Sequence, residues 1–263
     1  MSLVVHIEPG LSRCFADAAA PERWLAALEP CRMERGKIQR GRLPDGTGVF
    51  LKRSDPQQGL AMWQSLLRGR WPASAARREW QLLGRLRAAG FATMEPLAWG
   101  EVRRFTLPEG SFLLVREVPG QEVADLFERS GGDARLELMR QVGELVGRLH
   151  AAGFFHPVRL KDLIQGEQGL VLIDRETSKP WPGWFTRGAC LASLSRAARR
   201  TLRDGYRLHA GSALAFLRGY QAGVAPRWRP SLRTLIRQTT AALRAQWRGQ
   251  KVKPRSALAA ARA

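Results

Sequence analysis

The hydrophobic pattern changes period once along the chain, near Pro119-Gly120. Ahead of that point, short runs alternate apolar and polar residues. Behind it, apolar residues recur every three or four positions. Period 2 gives a half-buried strand and 3–4 spacing gives one face of a helix. In the front half, residues 37–43 and 49–53 read as two strands, and Pro44-Asp45-Gly46 between them makes a hairpin. Residues 74–89 predict a helix capped by Ser74, with Ala76, Trp80, Leu83 and Leu86 on one face and Gly90 as its stop. Strands follow near 95–102 and 112–118, with Leu107-Pro108-Glu109-Gly110 as the turn before the second. Residues 21–28 suggest a further short helix with Pro21 in its first turn. In the rear half, residues 136–152 predict a long helix, with Leu138, Val142, Leu145, Val146 and Leu149 on one side and Gly153 ending it. Residues 170–173 read as a short buried strand that ends at Asp174, and helical spacing resumes from Leu191. The expectation is an α+β chain of two lobes: a strand-rich lobe with one helix over 1–118, a helical lobe over 119–248, and a basic, disordered tail over 249–263.

Composition narrows the class. Of 263 residues 44% are hydrophobic and 25% charged, so a core can form, and disorder and collagen are excluded. Cys14, Cys31 and Cys190 are scattered without Cys-x-x-Cys spacing, which leaves neither a disulfide framework nor a zinc site. No run approaches the ~18 apolar residues of a membrane span, and the first residues lack the basic start and apolar core of a signal peptide. The expected location is therefore cytoplasmic. Net charge is +20, and it is uneven: from Arg175 onward there are 19 Lys and Arg against 2 Asp and Glu. A near-neutral front joined to a basic rear points to an anionic partner: nucleic acid, an anionic membrane face or a phosphorylated glycan. The helix expected over 231–247 sets arginines against Leu232, Leu235, Ile236 and Leu243, a pattern that suits a membrane interface or packing on the rear lobe.

Four isolated residues fall in a chemical order. Lys52 ends a strand, Glu79 lies on the next helix, His156 follows a long helix and a glycine, and Asp174 ends a buried strand. Phosphoryl transfer from ATP needs a cation on the phosphates, an acid to hold that cation, a metal-binding acid, and a carboxylate that orients the acceptor hydroxyl. Phe50-Leu51-Lys52-Arg53 resembles the lysine strand of protein kinases and Arg78-Glu79-Trp80 their glutamate helix. Phe112-Leu113-Leu114-Val115-Arg116-Glu117 resembles the hinge strand, and Leu172-Ile173-Asp174-Arg175 the metal-aspartate strand.

With Leu149-His150-Ala151-Ala152-Gly153-Phe154-Phe155-His156, Leu191-Ala192-Ser193-Leu194 and Phe216-Leu217-Arg218-Gly219-Tyr220, these stretches resemble the bacterial lipopolysaccharide core kinases of the Kdo/heptose type over roughly residues 35–222. The resemblance implies a two-lobed protein-kinase-like fold, ATP and Mg²⁺ as cofactors, and a sugar hydroxyl of the lipopolysaccharide inner core as acceptor at the cytoplasmic face of the inner membrane. It implies Lys52, Glu79 and Glu117 as nucleotide-binding residues, Asp174 and Asp162 as metal ligands, and His156 as a structural residue of the catalytic loop. That loop departs from the family pattern. His156-Pro157-Val158-Arg159-Leu160-Lys161-Asp162 puts valine where the family has its catalytic aspartate, and Asp162 is the one carboxylate left there to act. Gly36-Lys37-Ile38-Gln39-Arg40-Gly41 offers two glycines in place of a full phosphate loop. Three functions stay open: a lipopolysaccharide kinase of full or weak activity, a pseudokinase that works as a nucleotide- or partner-binding scaffold, and a basic nucleic-acid-binding protein with Trp228 and Trp247 among its arginines.

Overall fold

The computed structural model describes residues 2–7, 38–43, 45–54, 73–104, 107–173, 187–206, 208–224 and 231–247. The expected helix over 21–28, the first part of the glycine pair, Asp174 and the basic tail lie outside them. The chain divides into two compact units near Val118, and each is taken by itself.

The first unit is a five-stranded antiparallel sheet crossed by one helix. Its strands are β1 (Ser2–Ile7), β2 (Ile38–Arg42), β3 (Gly48–Ser54), β4 (Pro96–Arg104) and β5 (Leu107–Arg116), in the order β1-β4-β5-β3-β2. Ile38 pairs with Lys52, Lys52 with Leu113, Leu113 with Trp99, and Trp99 with His6. Directly opposed residues of antiparallel strands share a face. This row therefore lies on one side of the sheet, the side that helix α1 (Ala75–Ala88) covers: His6 meets Trp80 of α1 edge-on, with ring centroids 5.2 Å apart. The opposite side carries the apolar cluster Leu43, Val49, Leu51, Leu97, Ala98 and Leu114. Helix α1 begins as expected: Ser74 Oγ accepts the Arg77 N–H at 3.2 Å. It ends before Gly90, whose φ of +80° an L side chain disfavours. Its buried face is Ala76, Glu79, Leu82, Leu83 and Leu86, so a glutamate stands inside the apolar stripe and Trp80 only flanks it.

Two expectations are corrected. Leu107–Gly110 is not a turn but the first part of β5, and Arg104 with Leu107 is the last pair of that hairpin. Pro108, which has no N–H to give, is accommodated where the β4–β5 register shifts between Val102 and Arg103. The N-terminal residues, from which no element was expected, form edge strand β1.

The second unit holds a three-stranded antiparallel sheet, β6 (Gln121–Glu122), β7 (Leu163–Gly166) and β8 (Gly169–Leu172). Its described helices are α2 (Val123–Arg129), α3 (Gly132–Ala151), α4 (Arg187–Arg203), α5 (Ala210–Gly223) and α6 (Leu232–Trp247). Helices α3 and α5 cross with their backbones in contact. Gly143 and Gly147 of α3 face the carbonyls of Phe216 and Tyr220, and Gly219 and Gly223 of α5 face those of Arg140 and Glu144. A Cβ at any of the four would strike main chain. Two glycines one turn apart on each helix allow this close approach.

Candidate functional site

Strand β3 and helix α1 bring Lys52 and Glu79 together. Lys52 Nζ lies 3.0 Å from Glu79 Oε1, with side chains 18% and 5% exposed. The two residues that the sequence order pairs thus meet on the helix-covered face of the sheet. At such low exposure the attraction is little screened, and removing one partner would strand the other's charge.

Glu117, just past β5, is held at three points. Its N–H donates to the Gly48 carbonyl (2.9 Å), and its carboxylate takes Arg40 Nη2 at 2.7 Å and Arg40 Nε at 3.3 Å. Its side chain lies over Gly48, where a Cβ would strike it. Glu117 ties β2 and β3 to the end of β5. Gly41 sits inside β2 opposite Val49, so the second of the two glycines belongs to a strand and not to a loop.

In the second unit, His156 lies half-buried in the loop after α3, and Val158 is 7% exposed. A 3-10 turn, Leu160–Asp162, follows. Asp162 is buried with its carboxylate on Arg159: the Arg159 N–H donates to Oδ2 (3.0 Å), Nε to both oxygens (2.9 and 3.0 Å), and Nη2 approaches Oδ1 at 2.6 Å. Asp204, at the end of α4, adds a second carboxylate 3.4 Å from Lys161 Nζ and 4.0 Å from Arg159 Nη1. The Asp162 carbonyl accepts the Ile173 N–H at 2.8 Å, which fixes the chain one residue before Asp174. Asp174 itself is outside the described residues.

Sequence reasoning missed two buried groups. Glu101 of β4 is fully buried; both Arg103 Nε and Nη2 contact its Oε1, and its Oε2 accepts the Ser74 N–H at 3.3 Å. Its signal was present, since Glu101 and Arg103 are two apart on an alternating strand and so share a face. His150 of α3 is also fully buried: Nδ1 lies 2.9 Å from Tyr220 Oη and Nε2 3.0 Å from Ser193 Oγ. Burial, with a smaller push from His156, holds its pKa down at about 3. Burial likewise raises the Cys190 thiol and the Tyr220 phenol above their usual ranges. No local pattern marks this triplet, which spans 70 residues.

A profile of the lipopolysaccharide kinase (Kdo/WaaP) family matches residues 56–206. The lipopolysaccharide core heptose(I) kinase WaaP of Pseudomonas aeruginosa is 31% identical over 118 residues, which are 43% of this chain and 44% of that protein. The match thus spans less than half the length of that relative. The structure of WaaP in complex with acyl carrier protein aligns over 94% of this chain and 97% of that one, with a TM-score of 0.61 at 23% identity. The amicoumacin kinase hAmiN, in complex with AMP-PNP, Ca²⁺ and Ami, aligns over 97% of this chain and 95% of that one, with a TM-score of 0.50 at 11% identity. At these identities the two structures speak for the fold, which is the expected α+β, protein-kinase-like one.

Proposed function

Because the chain belongs to the lipopolysaccharide kinase (Kdo/WaaP) family, we propose that it binds ATP and transfers phosphate to a sugar hydroxyl of the lipopolysaccharide inner core. The observation that carries this reading is the Lys52–Glu79 pair. A half-buried ammonium fixed by a carboxylate is the cation that nucleotide phosphates require. Glu79 holds and aims that ammonium, and Glu117 fixes the strand ends where the hinge would meet adenine. Bound ATP supplies the phosphoryl group.

The proposed Mg²⁺ ligand is Asp174. Asp162 fits a metal less well, because Arg159 already occupies both of its oxygens and neutralises its charge. Its role in this reading is to hold the loop and, through its carbonyl, the strand leading to Asp174. A second reading, a nucleotide- or partner-binding scaffold without turnover, is favoured by Val158, which is buried at the position of the orienting aspartate.

The proposed partner is anionic. Arg233, Arg237 and Arg244 are exposed along one face of α6, and no carboxylate pairs with them among the described residues. From Arg187 to Trp247 the chain has 12 arginines and one acid, Asp204. Such a surface suits a phosphate-bearing glycolipid or the anionic membrane face around it, and a peripheral place at the inner membrane follows. No described helix is long and apolar enough to cross a membrane. Acyl carrier protein, the partner in the WaaP complex, is a further candidate. The second unit has a partly open apolar pocket of about 110 Å³, lined by Met139, Val142, Leu160, Leu194, Phe216 and Leu217, whose lining suits part of an acyl chain. Charge alone favours nucleic acid as well, but Tyr220 is buried in the helical unit and Phe216 lines its apolar cavity, so neither offers a ring on which a base could stack.

The test is a calorimetric titration with ATP, with and without Mg²⁺, on the wild type and on Lys52→Met, Asp174→Asn and Asp162→Asn, followed by phosphate transfer to deacylated inner-core oligosaccharide. Mg-dependent binding lost in Lys52→Met and Asp174→Asn, and kept in Asp162→Asn, supports the assignment. Binding without transfer selects the scaffold reading. Absence of nucleotide binding in the wild type sinks both.

A further inference from the structure

The Lys52–Glu79 pair depends on where helix α1 sits, and the structure shows what fixes the helix. Polar contacts of its N-cap and first turn gather at one place on the sheet. Ser74, the N-cap, donates its N–H to Glu101 Oε2 (3.3 Å). Ala76 donates its N–H to Ser111 Oγ (3.5 Å). The Arg77 guanidinium reaches to 3.9 Å from Glu101 Oε1 and lies over the Trp99 ring, 5.7 Å from its centre. Glu101 and Ser111 are directly paired across β4 and β5, so these contacts converge on one point of the helix-covered face. Lys52 projects from the same face, opposite Leu113, two residues along β5 from Ser111.

We propose that Glu101 is a positioning residue, which clamps the N-terminus of α1 so that Glu79 meets Lys52. Three features support this. Glu101 is a fully buried carboxylate, an arrangement that an apolar residue of similar volume could replace without loss of packing. What an apolar residue could not do is accept the Ser74 N–H, which is one of the donors a helix start leaves unsatisfied. A carboxylate at that end also opposes the positive pole of the helix. Second, Arg103 grips Glu101 from its own strand, so the carboxylate is held by a contact that does not involve the helix. Third, only five residues, ~7.5 Å of helix rise, separate Ser74 from Glu79. That is less than a turn and a half, too short to absorb a shift by bending. Release of the N-terminus moves Glu79 directly.

For nucleotide binding the inference rests on the proposed role of Lys52. The first readout is therefore independent of nucleotide. Lys52 is acylated with a water-soluble amine reagent, and its rate is followed by peptide mass spectrometry in the wild type, Glu101→Leu, Glu79→Gln and the double variant. Unfolding curves confirm that each is folded at the assay temperature. The rate at Lys52 should rise roughly tenfold in Glu79→Gln and in Glu101→Leu, with no further rise in the double variant, the non-additivity of residues acting through one contact. Glu101→Gln, whose amide oxygen can still accept the Ser74 N–H, should recover part of the protection. A Glu101→Leu protein that is less stable but keeps wild-type protection at Lys52 would make Glu101 a structural residue only and overturn the proposal. If Glu101→Leu does not fold, Arg103→Met, which frees the carboxylate on a partly exposed side, takes its place, and wild-type protection there overturns the proposal equally. In the second arm, ATP affinity should fall in Glu101→Leu and Glu79→Gln by similar factors. If Lys52→Met leaves ATP affinity unchanged, the nucleotide reading fails while the acylation result stands by itself.

Discussion

His150 offers a test of the second unit through pH. It is fully buried between Ser193 of α4 and Tyr220 of α5, with the Phe155 ring 5.6 Å away and His156 as the neighbouring titratable group. Its pKa in the folded chain is about 3 against an ordinary 6.5. Between these values the unfolded chain binds a proton that the native chain refuses, so stability rises with pH across that window. The contribution is fully present above pH ~6.5 and is lost as pH falls toward 3. One proton gives a slope of up to ~1.4 kcal/mol per pH unit, so the loss is on the order of 2 kcal/mol by pH 5 and on the order of 5 kcal/mol by pH 3. His150→Gln keeps polar atoms at the site but takes no proton. The assay is urea unfolding of both proteins at pH 7.5, 6 and 5. The gap between wild type and variant should shrink by on the order of 2 kcal/mol from pH 7.5 to 5. A gap that stays constant over that range would show that His150 is not held neutral by burial.

Lys52→Met should destabilise the first unit by about 3–5 kcal/mol in thermal or urea unfolding, because it leaves the Glu79 carboxylate buried without its cation; Glu79→Gln should cost less, since Lys52 can turn toward water. Gly219→Val should cost about 3 kcal/mol or more, or prevent folding, by driving α3 and α5 apart. Gly84→Ala, at an exposed position of α1 where a Cβ meets nothing, should stabilise by about 1 kcal/mol in the same assay. Replacing Arg233, Arg237 and Arg244 together by Gln should weaken co-sedimentation with anionic vesicles at low salt and leave the unfolding midpoint unchanged; equal sedimentation of wild type and variant would remove α6 from the membrane surface. Val158→Asp should not raise phosphotransfer above the wild-type level. Its carboxylate would be buried against the apolar cavity and should cost several kcal/mol of stability, visible as a fall in melting temperature.

Much of the fold was legible because burial and backbone period agree. Residues 136–152 place five apolar residues on one side, and α3 runs over them with those residues buried. The Ser74 cap and Gly90 stop marked α1 to within a residue, since each acts on its own backbone. What was not legible depended on partners far along the chain. Strand β1 exists because β4 offers it an edge, and six residues of Leu-Val-Val-His-Ile character do not announce that. The turn assigned to Leu107–Gly110 followed local Pro and Gly chemistry, which lost to ten residues of ladder with β4 and β3. The crossing glycines of α3 and α5 read one by one as weak points of helices; only their i, i+4 spacing on both helices hints at contact.

The same division runs through the candidate site. Lys52 and Glu79 were readable because residue type, element and order were all local facts, and the fold then had only to bring two neighbouring elements together. Asp162 was not readable, because its sequence neighbours say nothing of where its oxygens point. A carboxylate in a kinase-like loop invites a metal, yet three residues earlier the chain supplies an arginine, and a 3-10 turn is tight enough for Arg159 to use both its main-chain N–H and its guanidinium on the same acid. Val158 follows the same logic. A valine two residues ahead of Leu160, across the extended Arg159, turns to the same side, and both line the apolar cavity of the helical unit. The loop therefore departs from the family pattern by more than a single missing oxygen pair: Val158 and Leu160 are buried, and Asp162 is already paired with Arg159. Under the scaffold reading, a gain of phosphotransfer would need the loop to be redirected, which no single substitution on this backbone provides.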